Sequence, residues 1–447
     1  MKLENYKHIT SHSKKVKKDS IFVSLNNNIE YINEAIKNKA SVIVLNKTLQ
    51  INHNTLIVNN IEYFFSYWYQ KINKINIDDF TTIAITGTDG KTTVSKMVYD
   101  TIKERYKAIY IGTIGIYLDG EIVQTKNTTP DIETILETFV YAKNNKIKYI
   151  ILEASSEGLL SKRLIGIRFN VVVFTNLSHE HLNTHKTMEG YFKSKKILLK
   201  LLKENGVAIT NIEDIYGMKF KSRNTINYGL HKGNVHTLSF TFVKDFTIIL
   251  LTNNNQYFYY KIPFIGIYNI YNFLAVHAVI SYLFNIKNFK FNNLTPPSGR
   301  FLIINNNIII DFAHTPNALE NLLLTITEIY KNKKIILVIG AQGGKDKSKR
   351  KLLGSVASKY CSTTILTSED PKNESVLDII LDISSGFFKS NYLIELNRKN
   401  AIIKGIKIQD EDSILVITGK GLEETETHKN IVLKHSDYDC VMQELKK

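Results

Sequence analysis

The chain has 447 residues, of which 43% are hydrophobic, and a formal net charge of +16. This length allows two or three domains with substantial cores, and no apolar run approaches the roughly 20 residues that cross a bilayer. The chain start lacks the apolar core and cleavage site of a signal peptide, and two cysteines, Cys361 and Cys440, fit a reducing compartment. We therefore expect a cytoplasmic protein without membrane insertion.

The positive charge does not by itself identify a partner. Lysines are spread along the whole chain and mixed with Asn and Ile, and no arginine-rich arm occurs. A basic surface attracts a phosphate-bearing small molecule as well as a nucleic acid. We expect no nucleic-acid partner, but a nucleic-acid-binding P-loop ATPase stays open as an alternative of a different class.

Residues 1–78 are predicted to form a small α/β domain. Short apolar strands alternate with helical stretches, the strands at 21–23, 42–45 and 55–58 and the helices at 31–38 and 61–71. The polar stretch 73–79 reads as the linker to the next domain.

From residue 79 to 296 the alternation of strands and helices predicts a central parallel sheet covered by helices. The predicted strands are 82–86, 108–111, 149–153, 171–175 and 208–210, with two or three more within 236–260, and a helix follows at 268–284. Pro and Gly near 294–300 mark a second boundary.

Residues 297–447 are predicted to form a second doubly wound, Rossmann-like unit. Its expected strands are 308–311, 335–340, 363–367 and 414–418. In open parallel sheets, ligands bind beyond the carboxyl ends of the strands, and the polar clusters of this chain follow such ends.

The turn Gly87–Thr93 is the pattern with the clearest chemistry. It reads Gly-Thr-Asp-Gly-Lys-Thr-Thr between an apolar strand and a helical pattern. Its two glycines allow a tight turn whose amide groups face a phosphate chain, Lys91 supplies a cation, and the Thr92 hydroxyl can hold Mg²⁺. The general phosphate loop has a glycine where this chain has Ile85, so the turn is a shorter variant. The pattern predicts a nucleotide-binding domain.

Acidic and histidine side chains follow two further strands. Glu153 closes one strand and is placed to coordinate Mg²⁺, although a cap of the next helix is the alternative. His179, His181 and His185 follow another strand, and His181 and His185 share a face if the segment is helical. A zinc site needs a further ligand, so surface histidines remain the alternative.

The remaining clusters are less specific. Residues 191–199 form an amphipathic pattern, in which the lysines are expected to be exposed. Asn269 and Asn272 share a predicted helical face, and the alternative role of Asn269 is to cap the start of that helix. Polar or glycine-rich segments also follow the strands of the C-terminal unit, at 311–316, 340–350, 367–372 and 419–424.

Several strings occur together and in a fixed order: Gly87–Thr93, Asn127–Pro130, Glu153–Ser156 with Arg163, Phe174–Leu177, Tyr191 with Lys195, Gly266–Ala275, Asp311–Pro316 and Gly419–Gly421. In this order they resemble the Mur ligases, the ATP-dependent amide-forming enzymes of bacterial peptidoglycan synthesis. The resemblance covers about residues 10–424. Within the family, the chain resembles the type that adds the third peptide residue to UDP-N-acetylmuramoyl-L-alanyl-D-glutamate.

This resemblance implies three domains that bind, in chain order, the UDP-sugar, ATP and an amino acid. It implies a monomeric, ADP-forming ligase that works through an acyl phosphate with ATP and two Mg²⁺ ions. The expected catalytic residues are Lys91, Lys195 and His181. The expected metal ligands are Thr92, Glu153, His181 and Lys195, the last as a carbamate formed with CO₂.

The resemblance also implies binding residues. Those for ATP are Gly87, Thr88, Asp89, Gly90, Lys91, Thr92, Thr93, Asn269, Asn272, Arg300 and Asp311. Those for the UDP-muramoyl peptide are Ser13, Thr128, Thr129, Ser155 and Arg163, and those for the amino acid are Asp370, Lys372, Gly419 and Glu423.

The chain departs from the family pattern at several positions. His12, Glu157, Glu180, Asn183 and Leu422 replace the usual Asp, His, Asp, Asp and His. These changes bear on the uridine and third-residue contacts more than on ATP chemistry. The N-terminal domain also looks shortened.

The amino acid that is added is the hardest point. Family members that add meso-diaminopimelate carry Asp-Asn-Pro-Arg, where this chain has Glu369-Asp370-Pro371-Lys372. Lys372 keeps a cation without the bidentate fork of arginine, whereas Asp370 would repel a distal carboxylate and attract the ammonium of lysine. We favour diaminopimelate because Lys372 and its neighbouring cations remain and Glu423 can take the amino end. L-lysine stays open.

A folylpolyglutamate synthase-like ligase is the nearest alternative, since it shares the fold and the acyl-phosphate chemistry. The strings Asn127–Pro130 and Asp311–Pro316 favour a Mur ligase.

Overall fold

The computed structural model describes residues 3–243, 246–291, 294–295, 299–429 and 431–447. Within these ranges, three main sheets occupy successive stretches of the chain. The predicted boundary between residues 296 and 297 lies outside the described residues. Short 3₁₀ turns connect the larger elements, at Leu3–Asn5, Ser13–Lys15, Ile77–Asp79, Ile197–Leu201, Gly217–Lys219 and Ile286–Asn288.

The first sheet is parallel and has the order β1-β2-β3-β4. Its strands are β1 (His8–Thr10), β2 (Ser20–Val23), β3 (Ala40–Leu45) and β4 (Thr55–Ile57), and its helices are α1 (Ile29–Lys37) and α2 (Ile61–Ile72). Asn28 and Asn60 begin the helices, since their side chains accept hydrogen bonds from the first turns. The predicted strands and helices are confirmed, and the three-residue strand β1 was missed.

The second sheet is the largest and follows the order β15-β14-β13-β12-β11-β10-β5-β9-β6-β7-β8. Its strands are β5 (Thr81–Thr86), β6 (Ala108–Gly112), β7 (Gly115–Leu118), β8 (Glu121–Val123), β9 (Tyr149–Glu153), β10 (Phe169–Phe174), β11 (Leu202–Asn211), β12 (Thr225–Gly229), β13 (Val235–Val243), β14 (Phe246–Asn253) and β15 (Gln256–Ile262). Its helices are α3 (Lys91–Lys103), α4 (Ile132–Asn144), α5 (Ser156–Leu160), α6 (Leu182–His185), α7 (Met188–Lys196) and α8 (Ile267–Leu283).

The expectation of a parallel central sheet is correct for its middle and wrong for its edges. Strands β6, β9, β5, β10, β11 and β12 pair in parallel, whereas β7–β8 and β13–β15 add antiparallel hairpins. The middle strands are buried on both faces, as β5 and β10 are, because helices cover them. The edge strand β15 has one exposed face, which an antiparallel hairpin tolerates.

The third sheet has the order β16-β17-β21-β18-β19-β20 and is parallel except for β16. Its strands are β16 (Leu302–Ile304), β17 (Ile308–Asp311), β18 (Lys334–Ile339), β19 (Thr363–Leu366), β20 (Tyr392–Ile394) and β21 (Ser413–Thr418). Its helices are α9 (Pro316–Ile329), α10 (Ser348–Tyr360), α11 (Val376–Ser384), α12 (Arg398–Ile408) and α13 (Asp437–Glu444), and a separate hairpin pairs β22 (Thr425–His428) with β23 (Ile431–Lys434). The predicted strands are confirmed, and apolar clusters fill both faces of the sheet.

In the part of the chain that the structure describes, no helix is both long and apolar enough to cross a membrane.

Candidate active site

The glycine turn connects β5 to α3 and has the geometry of a phosphate-binding loop. Gly87 and Gly90 have positive φ angles of 148° and 83°. A Cβ on Gly87 would lie 1.8 Å from the Thr175 hydroxyl oxygen, so only glycine fits there. Lys91 is the first residue of α3, and its Nζ donates to the carbonyl oxygens of Gly87 (3.1 Å) and Thr88 (2.7 Å). The cation therefore folds back over the turn.

Lys195 is buried against this turn. Its side chain is 1% exposed and its Nζ donates to the carbonyl oxygen of Gly87 at 2.6 Å. Nζ also lies 4.4 Å from the centre of the Tyr191 ring. Burial, together with the nearby charge of Lys91, places the pKa of Lys195 well below its usual value. The lowered pKa favours the neutral amine, which is the nucleophilic form of lysine.

Glu153, at the end of β9, accepts four hydrogen bonds. Oε1 accepts from the Tyr110 hydroxyl and from the Thr113 amide (3.1 Å). Oε2 accepts from the hydroxyls of Thr92 (2.9 Å) and Thr113 (3.1 Å). The strand-end carboxylate and the Thr92 hydroxyl of the turn are therefore adjacent, as a shared Mg²⁺ ligand pair requires.

His181 and His185 do not share a helical face, which corrects the prediction. His181 has a left-handed φ of 58° and precedes α6, which is only four residues long. Both rings instead face Tyr191, with centroids 5.8 Å and 4.8 Å away, and the His185 Nε2 lies 3.0 Å from the Ser156 hydroxyl. Burial lowers the pKa of His181 to about 4, so its imidazole is neutral and able to bind a metal.

Among the described residues, no three His, Cys, Asp or Glu side chains converge as a ready-made metal site. Mg²⁺ in phosphoryl-transfer enzymes is held by one or two protein carboxylates together with substrate phosphates and water. Glu153 with Thr92 at the glycine turn fits such an ion. A second ion next to His181 needs a further anion, and unmodified Lys195 is not one.

A cavity of about 680 Å³ lies beside the turn, between α8 and the third sheet. Its lining includes seven of the residues predicted for ATP, namely Asp89, Gly90, Thr93, Asn269, Asn272, Arg300 and Asp311. The other four, Gly87, Thr88, Lys91 and Thr92, complete the adjoining turn. The structure therefore brings the predicted nucleotide residues together.

Local contacts hold the lining residues in place. Gly266, not Asn269, is the N-cap of α8, and Asn269 instead donates to the Ile265 carbonyl at 2.8 Å. The Arg300 guanidinium stacks on Phe312 at 4.6 Å. Burial raises the pKa of Asp311, whose carboxylate accepts from the Phe301 and Ala313 amides, both at 2.7 Å.

Four residues predicted for the sugar peptide form one cluster next to Glu153. The Thr129 hydroxyl donates to the Glu153 carbonyl (2.7 Å) and accepts from the Ser155 amide (2.9 Å). Arg163 donates to the Thr129 carbonyl at 2.8 Å, and the Thr128 hydroxyl lies 3.1 Å from that of Thr113.

Ser13 is not part of that cluster. Its hydroxyl donates to the Glu34 carboxylate at 2.5 Å within the first domain. Nearby, Glu133 of α4 accepts from the Thr10 hydroxyl (2.7 Å) and from the Ser11 amide (2.6 Å). Sequence reasoning missed Glu133, which anchors the N-terminal sheet to the central domain, because nothing local marks a contact 123 residues away.

Two of the residues predicted for the amino acid, Asp370 and Glu423, contact a buried cation, Lys420, which the sequence analysis named within the string Gly419–Gly421 without giving it a role. Its Nζ lies 3.4 Å from carboxylate oxygens of both Asp370 and Glu423. Asp370 also accepts from the Thr427 amide at 2.9 Å. Among the described residues, the Lys372 ammonium has no hydrogen-bond or ion-pair partner. Asp370 is thus already engaged, and Lys372 is available.

The Glu369 carboxylate lies close to the backbone of Gly419. A Cβ on Gly419, whose φ is 106°, would lie 2.3 Å from a Glu369 carboxylate oxygen. Both carboxylate oxygens of Glu369 are buried without a hydrogen-bond partner among the described residues. Burial therefore raises the pKa of Glu369.

Glu180, one of the family departures, links the central and C-terminal domains. Its carboxylate lies 3.1 Å from the His314 Nε2 and 3.3 Å from the Lys349 Nζ. Although desolvation opposes the charge on both partners, their pairing raises the pKa of His314 and lowers that of Glu180 well below its usual value. The Thr315 hydroxyl adds a contact to Asp89 at 3.3 Å.

Comparisons with known proteins agree with this architecture. A family model described as "Mur ligase middle domain" matches residues 85–280. A second, described as "Mur ligase, glutamate ligase domain", matches residues 299–421. The UDP-N-acetylmuramoyl-L-alanyl-D-glutamate–2,6-diaminopimelate ligase of Fusobacterium nucleatum is 31% identical, over 94% of this chain and 89% of that protein. The ligase of the same name from Clostridium botulinum is 32% identical, over 97% and 93%.

A solved structure of a ligase with this name has a TM-score of 0.69 at 24% identity, and covers 99% of this chain and 95% of that one. The shared architecture is a three-part α/β fold. The chain belongs to the Mur ligase family, and the fold predicted from its sequence is confirmed.

Proposed function

We propose that this chain is the cytoplasmic, monomeric, ATP-dependent ligase that adds meso-diaminopimelate to UDP-N-acetylmuramoyl-L-alanyl-D-glutamate in peptidoglycan synthesis. Relatives named for this reaction match nearly the whole chain. The observation that carries the proposal is the placement of Lys91 and the buried Lys195 on the same carbonyl of the glycine turn. This arrangement of two lysines suits a site that both binds phosphate and forms a lysine carbamate.

The reaction needs activation because a carboxylate is a poor electrophile. The D-glutamyl γ-carboxylate attacks the γ-phosphate of ATP, giving an acyl phosphate and ADP. The amine of the amino acid then attacks the acyl carbon, and phosphate leaves. The amides of Gly87–Thr93 and the Lys91 ammonium stabilise the charge on the transferring phosphoryl group.

Bound Mg²⁺ ions would neutralise part of that charge and orient the phosphates. Thr92 and Glu153 would hold one ion. In its neutral form, which burial favours, the Lys195 amine can attack CO₂. The resulting carbamate would join His181 in holding a second ion. Without that modification the Lys195 position offers no negative charge.

The contacts of Asp370 support diaminopimelate over lysine. An unpaired Asp370 carboxylate would repel the distal carboxylate of diaminopimelate, but Lys420 and the Thr427 amide occupy it. Neither Lys372 nor Lys345 has a hydrogen-bond or ion-pair partner for its ammonium group among the described residues. Both flank Gly344, at which a Cβ would lie 3.8 Å from the Lys372 side chain. Two available cations suit the distal carboxylate.

The direct test incubates the purified protein with ATP, Mg²⁺ and UDP-N-acetylmuramoyl-L-alanyl-D-glutamate, with diaminopimelate or lysine. We expect mass spectrometry of the nucleotide product to show the gain of diaminopimelate. A gain of lysine would correct the amino acid alone. Glutamate addition to a folate would support the folylpolyglutamate synthase alternative. ATP hydrolysis that nucleic acid stimulates, without ligation, would support the alternative of a nucleic-acid-binding ATPase.

Lys91→Met should lower kcat by about 10²–10³, the usual effect of removing one group that stabilises transition-state charge. Lys103→Met, at the exposed end of the same helix, is the matched control and should stay within twofold of the original protein. Unchanged ligation in Lys91→Met would contradict the assigned role of the turn.

A further inference from the structure

We propose that Tyr110 is a positioning residue for the magnesium site, and that its hydroxyl fixes the orientation of the Glu153 carboxylate. The inference rests on the proposed function, because it takes Glu153 as a metal ligand. Tyr110 belongs to none of the motifs that the sequence singles out, and it does not touch the nucleotide cavity.

The position of Tyr110 in the sheet explains the contact. Strand β6 pairs in parallel with β9, with Tyr110 opposite Ile151 and two residues short of the level of Glu153. The Tyr110 side chain is fully buried, and its ring packs against Tyr99 and Tyr117 with centroids 6.2 Å and 5.2 Å away. Its hydroxyl reaches along the sheet and donates to Oε1 of Glu153.

Gly112 leaves the space that this contact needs. It lies two residues beyond Tyr110 on β6 and therefore on the same face of the strand. A Cβ on Gly112 would lie 2.3 Å from both the Tyr110 hydroxyl oxygen and Oε1 of Glu153. The Tyr110 hydroxyl thus occupies space that a side chain at position 112 would fill. Such a side chain would separate the hydroxyl from the Glu153 carboxylate.

The contact determines which oxygen faces the phosphate turn. Oε1 is taken by the Tyr110 hydroxyl and the Thr113 amide, both of which lie on the β6 side. Oε2 lies toward the phosphate turn, where it accepts from the hydroxyls of Thr92 and Thr113. With the carboxylate held at Oε1, Oε2 and Thr92 present two oxygens to one ion without a prior rotation of the side chain.

The Tyr110 hydroxyl has two candidate roles, to position the Glu153 carboxylate or only to satisfy a buried phenol in the core. The two roles differ in what removal of the hydroxyl does to metal binding.

Tyr110→Phe removes the hydroxyl and keeps the ring. We expect Mn²⁺ binding, measured by electron paramagnetic resonance with a non-hydrolysable ATP analogue, to weaken about tenfold, because hydrogen bonds to charged groups are among the strong ones. The Mg²⁺ concentration for half-maximal ligation should rise by a similar factor, while the KM for ATP at saturating Mg²⁺ stays within twofold. Tyr117→Phe, in the same ring cluster, should change none of these values.

Gly112→Ala is a second variant, and it should weaken Mn²⁺ binding in the same direction by forcing the hydroxyl and the carboxylate apart. Mn²⁺ affinity within twofold of the original protein in Tyr110→Phe would overturn the inference, as would an equal loss in Tyr117→Phe. The Mn²⁺ measurement needs no turnover. A protein that binds Mn²⁺ and the ATP analogue but forms no nucleotide product would instead refute the proposed function.

Discussion

Lys195 shows how the surroundings of a single residue decide its chemistry. Lys193, Lys195 and Lys196 are near neighbours in the sequence, yet only Lys195 is buried, while the other two are exposed. Burial beside Lys91 disfavours the ammonium form. The same residue type is therefore exposed to solvent at two positions and buried, with its neutral form favoured, at the third.

Lys195→Ala should reduce ligation to near the detection limit, because no other described side chain at this position can carry the carbamate. A small carboxylate such as acetate should restore part of the activity by replacing the lost anion, measured as product formation against acetate concentration. Lys193→Ala is the control and should retain activity within twofold. Full activity of Lys195→Ala without acetate would show that the second metal site is wrongly assigned.

At the scale of elements, Arg398 connects two strand ends, which are followed by the residues predicted to bind the amino acid. Its guanidinium donates to the carbonyl of Ser368, just beyond β19 (3.1 Å), and to that of Thr418, at the end of β21 (2.8 Å). These strands are not neighbours, since β18 lies between them. The Asp437 carboxylate of α13 neutralises the guanidinium through bonds of 2.8 Å and 2.7 Å.

Asp437→Asn should destabilise the protein by about 3 kcal/mol, because it leaves a buried charge unpaired. Urea unfolding measures the loss. Asp382→Asn is the control, since its side chain is 47% exposed and its partner Arg350 keeps Glu374, and its loss should stay below about 1 kcal/mol. Equal losses of unfolding free energy in Asp437→Asn and Asp382→Asn would contradict the larger contribution expected of the buried Arg398–Asp437 pair.

The same ion pair predicts a pH dependence. Although burial opposes ionisation, Arg398 holds the pKa of Asp437 below its usual value. A depressed carboxyl pKa contributes stability above the unfolded value of about 3.9 and loses it as the pH falls. The difference in unfolding free energy between the original protein and Asp437→Asn should therefore shrink below about pH 4. A constant difference from pH 7 to pH 3 would refute this linkage.

At the scale of the whole molecule, Glu180 joins the central domain to the C-terminal domain. His314 and Lys349 reach it from two different elements of the C-terminal domain, and the Lys349 side chain is 5% exposed. A buried charged contact of this kind holds the two domains together around the cavity. Domain closure of this type commonly limits turnover.

Lys349→Met should open the molecule, because truncation of one partner in a buried charge pair costs about 2–5 kcal/mol. We expect a larger radius of gyration in small-angle X-ray scattering and at least a tenfold fall in kcat/KM. Lys351→Met, an exposed position on the same helix, should leave both unchanged. Scattering identical to that of the original protein would show that Glu180 does not control closure.

Much of the fold could be predicted because its signals are local. The strand, turn and helix around Gly87 follow from an apolar run, two glycines and a helical pattern that are adjacent in the chain. The antiparallel edges of the central sheet could not be predicted in the same way. Strand β7, for example, is a short run next to β6, and only its pairing shows its direction.

The sequence by itself determined the order of the strand ends and the glycine turn, since each is encoded by neighbouring residues. The more distant residues predicted for ATP followed from the resemblance to a family, and tertiary packing gathers them around the cavity. Only the tertiary structure decided that Lys195 is buried, that Tyr110 holds Glu153 and that Asp370 is already paired. These contacts join residues 108, 43 and 57 positions apart. Protonation and side-chain orientation depend on desolvation and on distant partners, and neither is set by local sequence.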